Sequence, residues 1–181
     1  ITGMRRVGKT TLTKSLLNEI KSKNKIYLDL ERMDQREIFT EKNYETVINY
    51  LQQNGLNEKE KLYIAIDEIQ LVPNIASVIK YLYDNYHIKF ITTGSSSYYL
   101  KNLFSESLSG RKKVFDLHTL DFGEFLTFKE VSFMKQDFLK TKFNASEYNR
   151  IKNYYEEFIE YGGFPEIVLT KNIEDKKSIL L

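Results

Sequence analysis

Eight consecutive residues near the start of the chain decide its fold: Gly3-Met4-Arg5-Arg6-Val7-Gly8-Lys9-Thr10. They fill every fixed position of the pattern G-x-x-x-x-G-K-[ST], a loop whose backbone N–H groups wrap a phosphate at the start of a helix. In such a phosphate loop Lys9 reaches the β- and γ-phosphates, Thr10 ligates the bridging magnesium ion, and Thr11 donates to the α-phosphate. The predicted nucleotide-contacting residues are therefore Gly3, Arg5, Arg6, Val7, Gly8, Lys9, Thr10 and Thr11.

The residues on either side of the phosphate loop support a strand–loop–helix unit. Apolar side chains recur at helical spacing after the loop, until a polar run over residues 21–25 ends the pattern. Only Ile1 and Thr2 precede Gly3, whereas a strand needs about five residues. We therefore expect this sequence to start inside a longer native chain.

Composition narrows the class of protein. The 181 residues suffice for one core with an appended helical piece, and a net charge of +2 leaves DNA open as a partner without indicating it. The sequence has no cysteine, no apolar run of membrane-spanning length and no signal-peptide pattern. We expect a cytoplasmic protein that uses neither disulfides nor thiolate metal sites and has no membrane partner.

Apolar, β-branched runs alternate with helical patterns along the first two thirds of the chain. The predicted strands are 25–30, 62–66, 88–93 and 113–117, and helical spacing marks 44–51, 73–86 and 98–104. Such alternation predicts a three-layer α/β fold, a parallel sheet with helices on both faces. Ligands bind at the carboxyl ends of such strands, which is where the phosphate loop, Asp67-Glu68 and Ser95 fall.

The acidic pair Asp67-Glu68 follows the buried strand 62–66 directly. In nucleotide sites of this kind the aspartate steadies the magnesium shell and the glutamate polarises water for attack on the γ-phosphate. Because a carboxylate dedicated to water is less expected in a small-molecule kinase, Glu68 favours a hydrolase. Asp67 joins Thr10 as a predicted metal residue, and Glu68 joins Lys9 as a predicted catalytic one.

Polar residues at two further positions are candidates for the site. Ser95 is placed to contact the γ-phosphate or orient water, with Thr93 as the alternative. Arg111 is either an arginine finger, acting within its own chain or on a neighbouring subunit, or a surface ion pair. Asp29 is either an acid close to the magnesium shell or a strand terminus, and we favour the strand terminus.

The last third of the chain is helical and rich in aromatic residues. Aromatic and apolar side chains between 148 and 159 follow helical spacing, which favours packing in a core or lid over stacking on nucleic acid bases. We predict a core over residues 1–120 and a helical extension over 121–181, the start of a lid or of a linker to a further domain. Gly162-Gly163 is predicted to end a helix and to act as a hinge.

These motifs together resemble the prokaryotic AAA-type P-loop ATPases of AAA domain family 14. Besides the phosphate loop, the resemblance rests on Ile66-Asp67-Glu68-Ile69-Gln70, Thr93-Gly94-Ser95-Ser96, Ser107-Leu108-Ser109-Gly110-Arg111, Asp121-Phe122-Gly123-Glu124-Phe125 and Gly162-Gly163-Phe164-Pro165-Glu166. It implies ATP as the nucleotide, a central phosphate-loop strand separated from the Asp67 strand by the Ser95 strand, and a C-terminal domain beyond Leu181.

The expected function is a magnesium-dependent ATPase that couples ATP hydrolysis to a conformational change in a protein partner or in its own C-terminal domain. One alternative is a nucleotide-gated interaction module with negligible turnover. Another is a kinase of a small molecule or a nucleic-acid end. The sequence leaves the partner and a homo-oligomeric state open.

Overall fold

A parallel sheet of three strands organises the first part of the chain. The strands are β1 (Lys25–Asp29), β2 (Leu62–Asp67) and β3 (Ile88–Thr92), in the order β1-β2-β3. The register pairs Asp29 with Asp67 and Ile66 with Thr92. The carboxyl ends of all three strands therefore meet at one edge, as parallel pairing requires.

The computed structural model describes residues 1–95, 110–133 and 143–180. Its contacts divide the chain into two units, Ile1–Leu117 and His118–Leu181. The predicted helix over 98–104 and the run Ser107-Leu108-Ser109 lie outside the described residues.

The two residues before the phosphate loop extend this sheet. Thr2 forms parallel bridges to Gly94 on one side and to Asp116 on the other. The N–H of Thr2 donates to the carbonyl of Phe115 at 2.8 Å, and the N–H of Gly94 donates to the carbonyl of Ile1 at 3.2 Å. The segment leading into the phosphate loop thus lies next to β3, which separates it from β2. The strand order implied by the resemblance is confirmed.

The predicted last strand, 113–117, is reduced to the single bridge at Asp116. Its partner within the sheet is Thr2, whose carbonyl also accepts a 2.7 Å hydrogen bond from the N–H of Leu117.

Helices cover both faces of the sheet. The first unit contains α1 (Lys9–Glu19), α2 (Met33–Glu37), α3 (Glu45–Gln53), a 3₁₀ helix (Ile69–Leu71) and α4 (Ile75–Asn85). Alternate strand residues, among them Leu28, Ile64 and Ile66, join the apolar core with side chains from α3 and α4. The intervening positions face α1, since the ammonium of Lys14 lies 4.7 Å from the centre of the Tyr27 ring. The predicted α/β architecture is therefore confirmed.

The second unit is helical and is built around aromatic rings. It contains α5 (Phe122–Phe128), α6 (Ala145–Tyr161), α7 (Pro165–Leu169) and α8 (Ile173–Leu180). Asp121 and Glu124 form a capping box at the start of α5, and the rings of Phe125 and Phe158 meet edge to face at 5.4 Å. In the described part of the chain, no helix is long and apolar enough to span a bilayer.

The Gly162-Gly163 turn is fixed inside the second unit. Gly162 ends α6 with a φ of 76°, and the carbonyl of Gly163 accepts a 2.8 Å hydrogen bond from the N–H of Leu120. A Cβ on Gly163 would collide with the carbonyl oxygen of Leu120, so only glycine allows this close approach. The turn joins α6 to α7, and its role as a hinge stays a prediction.

Candidate functional site

The phosphate loop, residues 3–10, is held in a curled backbone. Arg6 and Gly8 have φ angles of 65° and 95°, both in the left-handed region. Gly3 has a φ of 145°, and a Cβ there would collide with the carbonyl oxygen of Leu117. The helix α1 starts directly after Gly8, so its free N–H groups and positive end point into the loop.

Lys9 places a buried positive charge across the phosphate loop. The residue is 5% exposed, and its ammonium donates to the carbonyls of Gly3 at 3.0 Å and Met4 at 2.7 Å. An ammonium has three hydrogens, and one remains for an anion in the loop. These two hydrogen bonds hold the side chain of Lys9 back over the loop.

Asp67, at the end of β2, gathers three hydroxyl groups around one buried carboxylate. Thr10 and Tyr27 each donate to its Oδ2 at 2.6 Å, and Thr93 donates to its Oδ1. Burial alone would raise the pKa of Asp67, but these hydrogen bonds favour the charged form and hold the pKa below its usual value. The network links the phosphate loop to the middle of β1, the end of β2 and the residue that follows β3.

Glu68, the next residue, has a left-handed backbone conformation that is uncommon for residues other than glycine. Its φ and ψ are 56° and 47°, and its N–H donates to the hydroxyl of Thr93 at 3.1 Å. Non-glycine residues held in this region cluster at functional sites. Its carboxylate accepts a hydrogen bond from Gln70, whose amide also donates to Ser95 at 3.0 Å.

The oxygens around Thr10 and Asp67 fit a magnesium ion. A hydroxyl and a carboxylate at hydrogen-bond distance supply the hard oxygen donors that Mg²⁺ prefers, and Mg²⁺ normally completes its shell with water and substrate phosphates. Over residues 1–95, 110–133 and 143–180, no group of three or more His, Asp or Glu side chains is placed to hold a metal ion. A magnesium ion at Thr10 and Asp67 would therefore need water and phosphate oxygens as further ligands.

Other predicted site residues lie in varied surroundings. Val7 is 3% exposed, so its backbone alone can face a ligand, whereas the side chains of Arg5, Arg6 and Thr11 are exposed. Asp29 accepts the N–H of Glu31, in keeping with its interpretation as a strand terminus.

Arg111 lies away from this cluster in its own chain. Its guanidinium pairs with Asp84 at 3.1 Å. Asp84 stands near the end of α4, which begins after the carboxyl end of β2 and returns to the start of β3. The pair therefore lies towards the amino edge of the sheet, opposite the edge that carries the phosphate loop.

Sequence reasoning missed Tyr27 and Gln70. Tyr27 pairs with Ala65 in the sheet, two residues before Asp67 and on the same face, so a side chain of its length reaches the carboxylate. Strand parity was the available signal for Tyr27. Gln70 stands in the motif Ile66–Gln70 that carries the resemblance, but it was given no role, because the 3₁₀ turn that brings it back to Glu68 does not show in hydrophobic periodicity.

Comparisons with known proteins agree with this architecture. The uncharacterised protein MJ1544 of Methanocaldococcus jannaschii is 34% identical over 180 residues, which cover 99% of this chain and 38% of that protein. An uncharacterised protein of Haemophilus influenzae is 29% identical over 93% of this chain and 40% of its own length. The chain thus spans about two fifths of these curated relatives.

A solved structure and a family profile place the fold. The structure of C. elegans PCH-2 superposes with a TM-score of 0.57 at 16% identity, over 92% of this chain and 52% of that chain. At that identity the likeness concerns the fold alone. The profile of the AAA_14 family, described as an AAA domain, matches residues 1–126. Because this match spans well over half of the chain, the protein belongs to the AAA_14 family of AAA domains.

Proposed function

We propose that this protein is a magnesium-dependent ATPase that couples ATP hydrolysis to a conformational change in a protein partner or in its own C-terminal domain. The observation that carries the proposal is the network around Asp67, whose carboxylate accepts hydrogen bonds from Thr10 and Thr93. It joins the phosphate loop to the strand ends that carry Glu68 and Ser95. A phosphate-binding loop, a metal-orienting acid and a candidate base therefore meet at one edge of the sheet.

Each of these residues has a separate task in the proposed reaction. Lys9 and the N–H groups of the phosphate loop bind the β- and γ-phosphates, and Thr10 and Asp67 hold the metal. When bound, a magnesium ion would neutralise the negative charge that develops on the phosphates. Ser95 contacts the γ-phosphate, and Glu68 takes the proton of the attacking water. Binding and proton transfer thus rest on different side chains.

The test is phosphate release from ATP over a magnesium titration, with an Asp67→Asn variant. The amide keeps the size of the side chain and loses the charge that orients the metal shell. Half-maximal turnover should require about 10- to 100-fold more magnesium, in line with the loss of a residue that orients a metal ligand. Asp34→Asn is the matched control, because Asp34 is 63% exposed and pairs only with a surface arginine within the described residues.

The outcomes separate the candidate functions. Magnesium-independent turnover, or an unchanged magnesium requirement in Asp67→Asn, contradicts the metal assignment. ATP binding without phosphate release supports the nucleotide-gated module instead. Transfer of the γ-phosphate to an acceptor other than water supports a kinase. Running the titration with and without DNA shows whether nucleic acid stimulates the protein.

Of the roles predicted for Arg111, we propose that of an arginine finger that acts on a neighbouring subunit. Its pair with Asp84 lies towards the amino edge of the sheet, so it has no route to the phosphate loop of its own chain without a large rearrangement. A homo-oligomer in which this edge meets a neighbour's phosphate loop would give Arg111 a transferring phosphoryl group to stabilise. A cytoplasmic location stays a prediction.

A further inference from the structure

Gln70 holds two of the proposed reacting side chains with one amide group. It lies in the 3₁₀ helix Ile69–Leu71, directly after the strained backbone of Glu68. Its Nε2 donates one hydrogen to the carboxylate of Glu68 and the other to the hydroxyl oxygen of Ser95 at 3.0 Å. The orientation of the amide follows from chemistry, since an ionised carboxylate only accepts hydrogen bonds.

This arrangement determines what Glu68 and Ser95 can still do. Because the oxygen of Ser95 accepts from Gln70, the hydroxyl hydrogen of Ser95 is directed elsewhere and is available to a phosphate oxygen. The amide occupies Oε2 of Glu68, which leaves Oε1 to accept a proton from water. One side chain therefore sets the distance between a phosphate donor and a base.

The amide oxygen of Gln70 does not stabilise the fold through a hydrogen bond to the described residues. Its Oε1 is buried and has no hydrogen-bond partner among the described residues. A buried acceptor without a partner destabilises the folded state. A glutamine whose donor end serves two site residues while its acceptor end is unsatisfied fits a functional role better than a stabilising one.

We propose that Gln70 is a positioning residue that orients the carboxylate of Glu68 and the hydroxyl of Ser95 relative to each other. This inference rests on the proposed ATPase function and adds a residue to it. Gln70 acts through its two partners and does not itself take a proton. Its effect belongs mainly to the chemical step and, through Ser95, to recognition of the terminal phosphate.

The test is a Gln70→Met variant, which keeps the length of the side chain and removes both donated hydrogen bonds. The turnover number should fall about 10- to 100-fold, the scale expected when a reacting group is misplaced by about an ångström. Affinity for AMP-PNP should fall about three- to ten-fold, the scale of one lost hydrogen bond. Affinity for ADP, which lacks the terminal phosphate, should stay within about two-fold of wild type.

Thermal unfolding separates positioning from a structural role. The midpoint of Gln70→Met should equal or exceed that of the wild type, because the unsatisfied acceptor disappears with the amide. Gln53→Met, at the exposed end of α3, is the matched control and should leave turnover, both affinities and the midpoint unchanged. Gln70→Glu keeps the shape but cannot donate to Glu68, so it should show at least the same loss of turnover.

Two results overturn the inference. The first is a Gln70→Met variant with wild-type turnover and a wild-type ratio of AMP-PNP to ADP affinity. The second is a parallel loss of turnover, ADP affinity and thermal stability, which is the pattern of a structural residue. If the wild type itself releases no phosphate, the ATPase proposal fails, and the ratio of AMP-PNP to ADP affinity still decides whether Gln70 orients Ser95.

Discussion

Replacing Glu68 by glutamine is expected to slow ATP turnover by about 100- to 10,000-fold while ATP still binds. An amide has nearly the shape of a carboxylate but cannot take a proton from water. The groups that would hold the triphosphate are the phosphate loop, Lys9 and Thr10, and none of them contacts the Glu68 side chain through a described hydrogen bond. Binding and chemistry should therefore separate in this variant.

The surroundings of Glu68 make this substitution mild for the fold. Its left-handed backbone and the hydrogen bond from its N–H to Thr93 do not depend on the side-chain charge. The new amide oxygen can still accept from Gln70. A loss of turnover can therefore be assigned to the missing proton acceptor, because the backbone and the neighbouring hydrogen bonds remain.

The measurement is single-turnover phosphate release together with equilibrium binding of ATP, for the wild type and for Glu68→Gln. Glu19→Gln, at the exposed end of α1, is the control for the loss of one negative charge. Turnover near the wild-type rate would show that Glu68 is not the base. Loss of ATP binding together with turnover would show instead that the carboxylate of Glu68 is needed to bind the nucleotide.

The sequence predicted best those features that local backbone rules determine. The phosphate-loop pattern encodes two such constraints, the close approach of Gly3 to Leu117 and the left-handed conformation of Gly8. The alternation of strands and helices predicted the parallel sheet, and parallel pairing brings Asp67 and Ser95 to one edge. Each of these inferences needs only a short stretch of chain.

Features that depend on tertiary contacts were harder to predict. The helix α2 spans five residues without apolar periodicity, and none of its side chains is buried. The contact of Tyr27 with Asp67 depends on the register between β1 and β2. Lys176 lies in a run of charged residues near the end of the sequence, yet the residue is 4% exposed. Its burial depends on a carboxylate nineteen residues earlier in the chain.

That carboxylate, Glu157, is the electrostatic centre of the second unit. Its Oε1 contacts the ammonium of Lys176 and lies 2.7 Å from that of Lys129. The two lysines also stack on aromatic rings, Lys129 on Phe125 and Lys176 on Tyr161. One carboxylate on α6 thus forms ion pairs with two ammonium groups, which come from the end of α5 and from α8.

Glu157→Gln should lower the free energy of unfolding by about 3 kcal/mol, because it leaves two largely desolvated ammonium groups without a counter-charge. The neighbouring Glu156→Gln should change it by less than about 0.5 kcal/mol, since Glu156 is 61% exposed and pairs with Lys152 at 3.6 Å. Urea titration followed by circular dichroism gives both values. Equal effects of the two variants would contradict a special role for Glu157.

The pH dependence of the free energy of unfolding gives a second check of the role of Glu157. Burial would raise the pKa of Glu157, but the hydrogen bonds from Lys129 and Lys176 outweigh it and hold the pKa below the usual value. Its stabilising contribution is therefore complete above about pH 4.3, the ordinary glutamate pKa, and is lost as the pH falls through the lower folded value. The difference between wild type and Glu157→Gln should be constant from about pH 6 to pH 8 and should shrink below about pH 4.

Lys176→Met tests whether the ion pair between Lys176 and Glu157 itself stabilises the fold. The alternative is that Glu157→Gln destabilises only because it leaves buried ammonium groups without a counter-charge. Methionine keeps the contact with Tyr161 and removes the cation together with its desolvation penalty, and Glu157 keeps Lys129 as its partner. This variant should change the free energy of unfolding by less than about 1 kcal/mol. A loss as large as that of Glu157→Gln would show instead that the buried pair itself stabilises the packing of α8 on α6.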